Sequence, residues 1–128
     1  MSYVGLVLIS HSPKVVEGIK DIISQVITEV PVETAGGTDD NEIGTSVEKI
    51  LAAIERADHG KGVLLFYDLG SAMMNAEIAI EMSGSNQIKV ADDIPLLEGS
   101  YVGAVESNMG KNINQVLEAV KTAFTKER

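Results

Sequence analysis

The sequence predicts a single-domain α/β fold: a doubly wound, mainly parallel four-stranded sheet with helices on both faces. Three observations carry this. Val4 to Ile9 and Gly62 to Tyr67 are short runs, apolar almost throughout, as strands buried on both faces of a parallel sheet are. Segments with apolar residues at helical spacing follow each strand. The resulting order, four strand–helix units and a last helix, implies right-handed crossovers that place helices on both sides of the sheet.

The first strand stops at Ser10-His11-Ser12, where Ser12 suits an N-cap and Pro13 the first helical position, which needs no amide donor. The helix after it carries Val15, Val16, Ile19, Ile22, Ile23, Val26 and Ile27 as an apolar stripe. Pro31 to Ala35 reads as a short second strand, running into the polar turn Gly36-Gly37-Thr38-Asp39-Asp40-Asn41. Thr45-Ser-Val-Glu48 has the pattern of a capping box and opens a second helix with Val47, Ile50, Leu51 and Ile54 on one face. His59-Gly60 closes that helix. After the third strand, Asp68-Leu69-Gly70-Ser71 leads into a third helix, with Met74, Ile78 and Met82 expected toward the sheet and Met73 as further core filling. Gln87 to Ala91 is a short strand whose polar alternation suits an edge. Pro95 opens a fourth helix, Gly110 interrupts it, and a last helix carries Ile113, Val116, Leu117, Val120 and Phe124.

A chain of 128 residues with no linker, internal repeat or low-complexity tail reads as one domain, 1–128. Ten basic and 19 acidic residues give a net charge of −9, and no basic run with interleaved aromatics occurs, which argues against a nucleic-acid partner. The absence of cysteine excludes disulfides, thiolate metal sites and thiol nucleophiles. No apolar run approaches a membrane span and no leader pattern opens the chain, so a cytoplasmic protein that engages no membrane is expected. With two histidines and no cysteine no transition-metal site is expected, and a carboxylate site for Mg²⁺ would need acidic pairs such as Asp39-Asp40 and Asp92-Asp93 to converge.

The loops after the first three strands meet at one end of such a sheet, and the first and third strands are neighbours where the strand order reverses. His11 and Asp68 can therefore meet. A carboxylate on Nδ1–H would fix the tautomer, leave Nε2 as a nucleophile and balance the charge that the ring gains. Helix starts at Ser12 and Ser71 offer amides to an anion. Gly36, Gly37 and Gly70 let the backbone come close, and Ser10, Thr38 and Ser71 add hydroxyls, a phosphate-binding set. Plainer readings stand beside these. Asp68 reads equally as an N-cap for the third helix, Gly36-Gly37 as a turn, Asp39-Asp40 and Asp92-Asp93 as solvated loops, and His59 as an exposed helix end.

Taken together and in order, Ile9-Ser-His-Ser12, Ala35-Gly-Gly-Thr-Asp-Asp40, Ile43-Gly-Thr45, Asp68-Leu-Gly-Ser-Ala72, Asn75-Ala-Glu77 and Pro95-Leu-Leu-Glu-Gly99 span nearly the whole chain. They resemble the phosphocarrier subunits of phosphotransferase-system-dependent dihydroxyacetone kinases, whose fold is that of mannose-type enzyme IIA domains. The resemblance implies that His11 is phosphorylated by the phosphocarrier HPr, supported by Asp68. The phosphoryl group then passes to ADP on the kinase's nucleotide-binding subunit. The chain itself needs no cofactor, since no Walker loop or dinucleotide fingerprint is present and ADP and ATP stay on the partner. A single Gly70 before Ser71-Ala72, where sugar-transport domains usually carry a second glycine, favours the dihydroxyacetone branch. Some relatives are fused to further phosphocarrier domains; here HPr is expected as a separate protein. The competing readings are a mannose-type enzyme IIA of a sugar transporter and a non-enzymatic signalling module gated by His11 modification. A homodimer is expected, partly from the resemblance and partly from the exposed fourth strand. His11 is expected on an open face, with Asp39 and Asp40 near its rim attracting basic side chains of partners.

Overall fold

The computed structural model describes residues 2–125. Four strands form a single sheet: β1 (Gly5–Ser10), β2 (Val32–Gly36), β3 (Val63–Tyr67) and β4 (Ile88–Val90). All neighbours pair in parallel, in the order β2-β1-β3-β4. The helices are α1 (Pro13–Ser24), α2 (Val47–Ala57), α3 (Ala72–Ser83), α4 (Leu96–Asn108) and α5 (Ile113–Phe124). The chain moves from β1 outward to β2, then crosses back over β1 to β3 and on to β4. The reversal therefore lies between β1 and β3, whose carboxyl ends carry His11 and Asp68.

Two cores result, one on each face. Leu6, Leu8, Leu64 and Phe66 meet Val16, Ile19 and Ile23 of α1 together with α4 and α5. Val7, Ile9, Val63 and Leu65 meet α2 and α3. All six residues of β1 are buried, which is why the alternation of a half-exposed strand is missing from its sequence. Each large side chain so buried contributes about 1.5–3 kcal/mol. Helix α4 lies close to the sheet because its inner face is Gly99, Ser100, Gly103, Ala104 and Ser107. A Cβ on Gly103 would stand 2.9 Å from Phe66 Cζ, and the Ser107 hydroxyl donates to the Val4 carbonyl at 2.6 Å.

Three local expectations change. Helix α3 turns Ala72, Ala76 and Ala79 inward and leaves Met74, Ile78 and Met82 at 72%, 42% and 59% exposure. Small residues at i, i+4 and i+7 let the helix pack closely on the sheet and α2, so the bulky residues point outward and do not fill the core. In α1, Val16, Ile19 and Ile23 are buried while Val15 and Ile22 face out; Val26 lies beyond the helix and is exposed. The cap of α2 is Ser46, one residue later than the Thr45 pattern implied. Its Oγ accepts the Lys49 amide at 3.1 Å, and Glu48 is too early in the helix to complete the box. At the sheet's outer edge, Lys49 Nζ donates to the Gly36 carbonyl at 2.9 Å, and Arg56 Nη2 stands 3.5 Å from the Thr34 carbonyl.

Candidate functional site

β1 ends in Ser10 and β3 in Tyr67, so the next residues, His11 and Asp68, emerge side by side from adjacent parallel strands. His11 Nδ1 lies 3.0 Å from Asp68 Oδ1, and the His11 amide donates to Asp68 Oδ2 at 3.0 Å. The Ser10 hydroxyl donates to the same Oδ2 at 2.9 Å, and the Leu69 amide to Oδ1 at 2.7 Å. Burial raises the Asp68 pKa. The bonds from the His11 amide, the His11 ring, Ser10 and the Leu69 amide outweigh it, and the net shift is downward from 3.8. Asp68 is therefore held as an anion, which only accepts. That assigns the imidazole proton to Nδ1 and leaves the lone pair on Nε2. The Ser71 hydroxyl stands 3.0 Å from Nε2 and donates to it in this tautomer. The His11 and Asp68 side chains keep 22% and 23% of their surface in contact with solvent.

The residues expected to bind phosphate divide into two groups. Ser10 is buried; its Oγ also accepts the Ser12 amide at 3.0 Å, so both groups are spent on the turn that aims His11. Ser12 caps α1 by backbone conformation alone, without a side-chain bond. The Gly37 amide donates to the Ser10 carbonyl, and the Thr38 amide and hydroxyl both bond Glu42. Gly37 has φ +77°, which only glycine adopts readily. Gly36 sits where a Cβ would lie 2.6 Å from Pro13 Cα. These two glycines thus close the β2 end onto the start of α1. By contrast, the Gly70 and Ser71 amides, in the turn that brings the Ser71 hydroxyl to Nε2, have no acceptor among the described residues. They form, with the Ser71 hydroxyl, a set of donors suited to an anion.

Two residues beside the site were not read from sequence as part of it. Asn75 Nδ2 donates to Thr45 Oγ1 at 2.7 Å, and the neighbouring Gly44 amide donates to the His11 carbonyl at 2.9 Å. Asn75 follows Ser71 by one helical turn, a spacing that puts both on one face and could have signalled it. Of the acidic pairs, Asp39 Oδ1 accepts the Ser46 hydroxyl, Asp92 accepts the Tyr67 hydroxyl, and Asp40 and Asp93 are exposed. Among the described residues no three His, Asp or Glu side chains are placed to hold a metal ion, and no helix is long and apolar enough to cross a membrane. His59 lies exposed beyond the end of α2.

A histidine whose Nδ1 is anchored by an anion, with Nε2 facing hydroxyl and amide donors, can attack an anionic electrophile and hold the group it receives. Comparison with proteins of known sequence and structure shows the family. Residues 5–117 match the family model of the PTS system fructose IIA component, the mannose-type enzyme IIA domain. The phosphoryl donor subunit DhaM of PEP-dependent dihydroxyacetone kinase 1 from Listeria innocua is 41% identical, over 92% of this chain and 93% of that protein. The phosphotransferase subunit DhaM of the PTS-dependent dihydroxyacetone kinase from Lactococcus lactis is 33% identical, over 94% and 95%. The crystal structure of EF1359, a protein described as of unknown function, superposes with a TM-score of 0.85 at 31% identity, each chain covered to 98%. The chain belongs to the mannose-type enzyme IIA family, and within it to the DhaM phosphocarrier subunits of the phosphotransferase-dependent dihydroxyacetone kinases.

Proposed function

We propose that His11 accepts a phosphoryl group from phosphohistidine on HPr and delivers it to ADP held by the nucleotide-binding kinase subunit. In the first half-reaction the Nε2 lone pair forms the new N–P bond as the donor's N–P bond breaks and its electron pair returns to the donor imidazole. In the second, a terminal phosphate oxygen of ADP displaces Nε2 and ATP forms on the partner. The loose transition state of phosphoryl transfer asks for in-line positioning and charge balance more than covalent help. Asp68 balances the imidazolium that forms, and the Ser71 hydroxyl with the Gly70 and Ser71 amides holds equatorial oxygens. Ser10, Ser12, Gly36, Gly37 and Thr38 serve by building the turn behind His11. The single observation behind this reading is the opposed environment of the two ring nitrogens, Nδ1 on Asp68 and Nε2 beside Ser71.

Exposed Ile43 and Leu69, in the loops on either side of His11, suit brief apolar contact with a partner, and the net charge of −9 suits basic patches around it. The chain works in the cytoplasm as a homodimer, which sedimentation equilibrium at micromolar concentration tests. The functional test is incubation with phosphoenolpyruvate, enzyme I and HPr, then addition of the ADP-loaded kinase subunit. An acid-labile, base-stable label on His11, lost with ATP formation, is the expected result. A label on His59, undiminished labelling of His11→Ala, or discharge only by a sugar permease domain would overturn it.

A further inference from the structure

We propose that Thr45 is a further phosphoryl-binding residue, its hydroxyl donating to the group carried on His11 Nε2, and that Asn75 positions it. This rests on the reading of His11 as the phosphoryl carrier and names a ligand that reading does not require.

Two segments close on the one histidine, α3 at its ring and the loop between β2 and α2 at its main chain. Ser71 and Asn75 are separated by one turn of α3, so both side chains leave the same face of the helix. The first reaches Nε2 at 3.0 Å; the second reaches across to Thr45 Oγ1 at 2.7 Å. Thr45 in turn belongs to the loop between β2 and α2, and the Gly44 amide pins that loop to the His11 carbonyl at 2.9 Å. Helix and loop thus both bond His11, one at the ring and one at the carbonyl, and are tied together by the Asn75–Thr45 bond.

Thr45 accepts from Asn75, yet its own O–H has no acceptor among the described residues, and the residue is half-buried. A hydroxyl that accepts one hydrogen bond is polarised into a better donor. Asn75 ties Thr45 to the start of α3, where the Ser71 hydroxyl reaches Nε2 and the Gly70 and Ser71 amides are also without an acceptor among the described residues. An anionic group on Nε2 gives all three an acceptor. It is also the condition in which leaving this pair outside the helix cap makes sense: Ser46, not Thr45, caps α2, so Thr45 is free for the site.

The test loads the full chain from phosphoenolpyruvate, enzyme I and HPr and records the loading rate, the 31P resonance and the half-life of the phosphorylated form. Thr45→Val removes the hydroxyl at constant shape and should slow loading about tenfold or more, the scale of one lost hydrogen bond to a charged group. It should also shift the 31P resonance and shorten the half-life. Thr45→Ser should restore all three. Asn75→Ala should give a smaller loss, and the double variant with Thr45→Val no more than Thr45→Val alone. If Thr45→Val melts early, Thr45→Ala against Thr45→Ser makes the same comparison. Wild-type loading with an unmoved resonance in Thr45→Val overturns the proposal and leaves His11 as carrier. So do equal losses in the Ser and Val variants, which would mark a purely structural tether. A wild-type chain that takes no label on His11 overturns the underlying reading as well.

Discussion

Asp68 holds His11 twice, through the ring Nδ1 on one carboxylate oxygen and through the backbone amide on the other, each at 3.0 Å. The imidazole is thereby fixed relative to its own main chain, so Nε2 cannot swing away when a phosphoryl donor arrives. Asp68→Asn should slow phosphorylation of His11 about 10- to 100-fold, the value of a charge-assisted bond worth roughly 1.5–3 kcal/mol. The far-UV spectrum should not change. Rapid-quench labelling from HPr measures the effect, and an unchanged rate would leave Asp68 a structural role alone.

The same carboxylate makes stability depend on pH. Its pKa is lowered in the folded chain, because four hydrogen bonds outweigh the opposing effect of burial. The folded state therefore binds fewer protons at this group than the unfolded state. The stability it contributes is fully present above the unfolded value near 3.8 and is lost as pH falls through the folded value. Urea midpoints should fall on acidification below about pH 4, and less steeply in Asp68→Asn. Parallel curves for the two proteins would contradict this.

Two serines flank the site and should separate cleanly. Ser10 is buried and bonds both Asp68 and the Ser12 amide, so Ser10→Ala strands two polar groups and should cost about 1–3 kcal/mol in denaturant unfolding. Ser71 is exposed, and Ser71→Ala should change stability by no more than about 0.5 kcal/mol while slowing phosphorylation. Equal effects of the two on stability would refute the division.

Gly36→Ala should destabilise without touching any reacting atom. The new Cβ would meet Pro13 Cα and Val16 Cγ2, each at 2.6 Å, and the backbone atom cannot rotate away. Overpacking of this kind costs about 1–3 kcal/mol, seen as a melting temperature several degrees lower.

The adjacency of β1 and β3, the edge position of β4 and the meeting of His11 with Asp68 were legible in sequence because fully buried strands and loop-end polar residues leave strong local signals. The inward face of α3 was not. Its core stripe is alanine, which a search for large apolar residues passes over, and Met74, Ile78 and Met82 at the same period drew the reading to the wrong side. Thr45 was misread for a related reason: Ser46 beside it caps equally well, and only the tertiary contact with Asn75 separates them. The donors beside Nε2 could not be sorted either. Gly37 and Gly70 look alike in a string of letters, yet the first amide is consumed by Ser10 and the second is not.

The cations along α2 have a consequence for the chain at high concentration. Lys49 Nζ occupies the Gly36 carbonyl, and Arg56 pairs with Glu33 beside the Thr34 carbonyl, so the rim of β2 offers few free acceptors to an incoming strand. The opposite rim, β4, is only three residues long and carries an exposed lysine at its centre, Lys89. Sheet-to-sheet propagation, the route by which many α/β proteins aggregate, is thus blocked at one rim by side chains from a helix and at the other by brevity and charge. Because the first block depends on α2 staying docked, loss of that helix is the step that would turn a phosphocarrier into a template for aggregation.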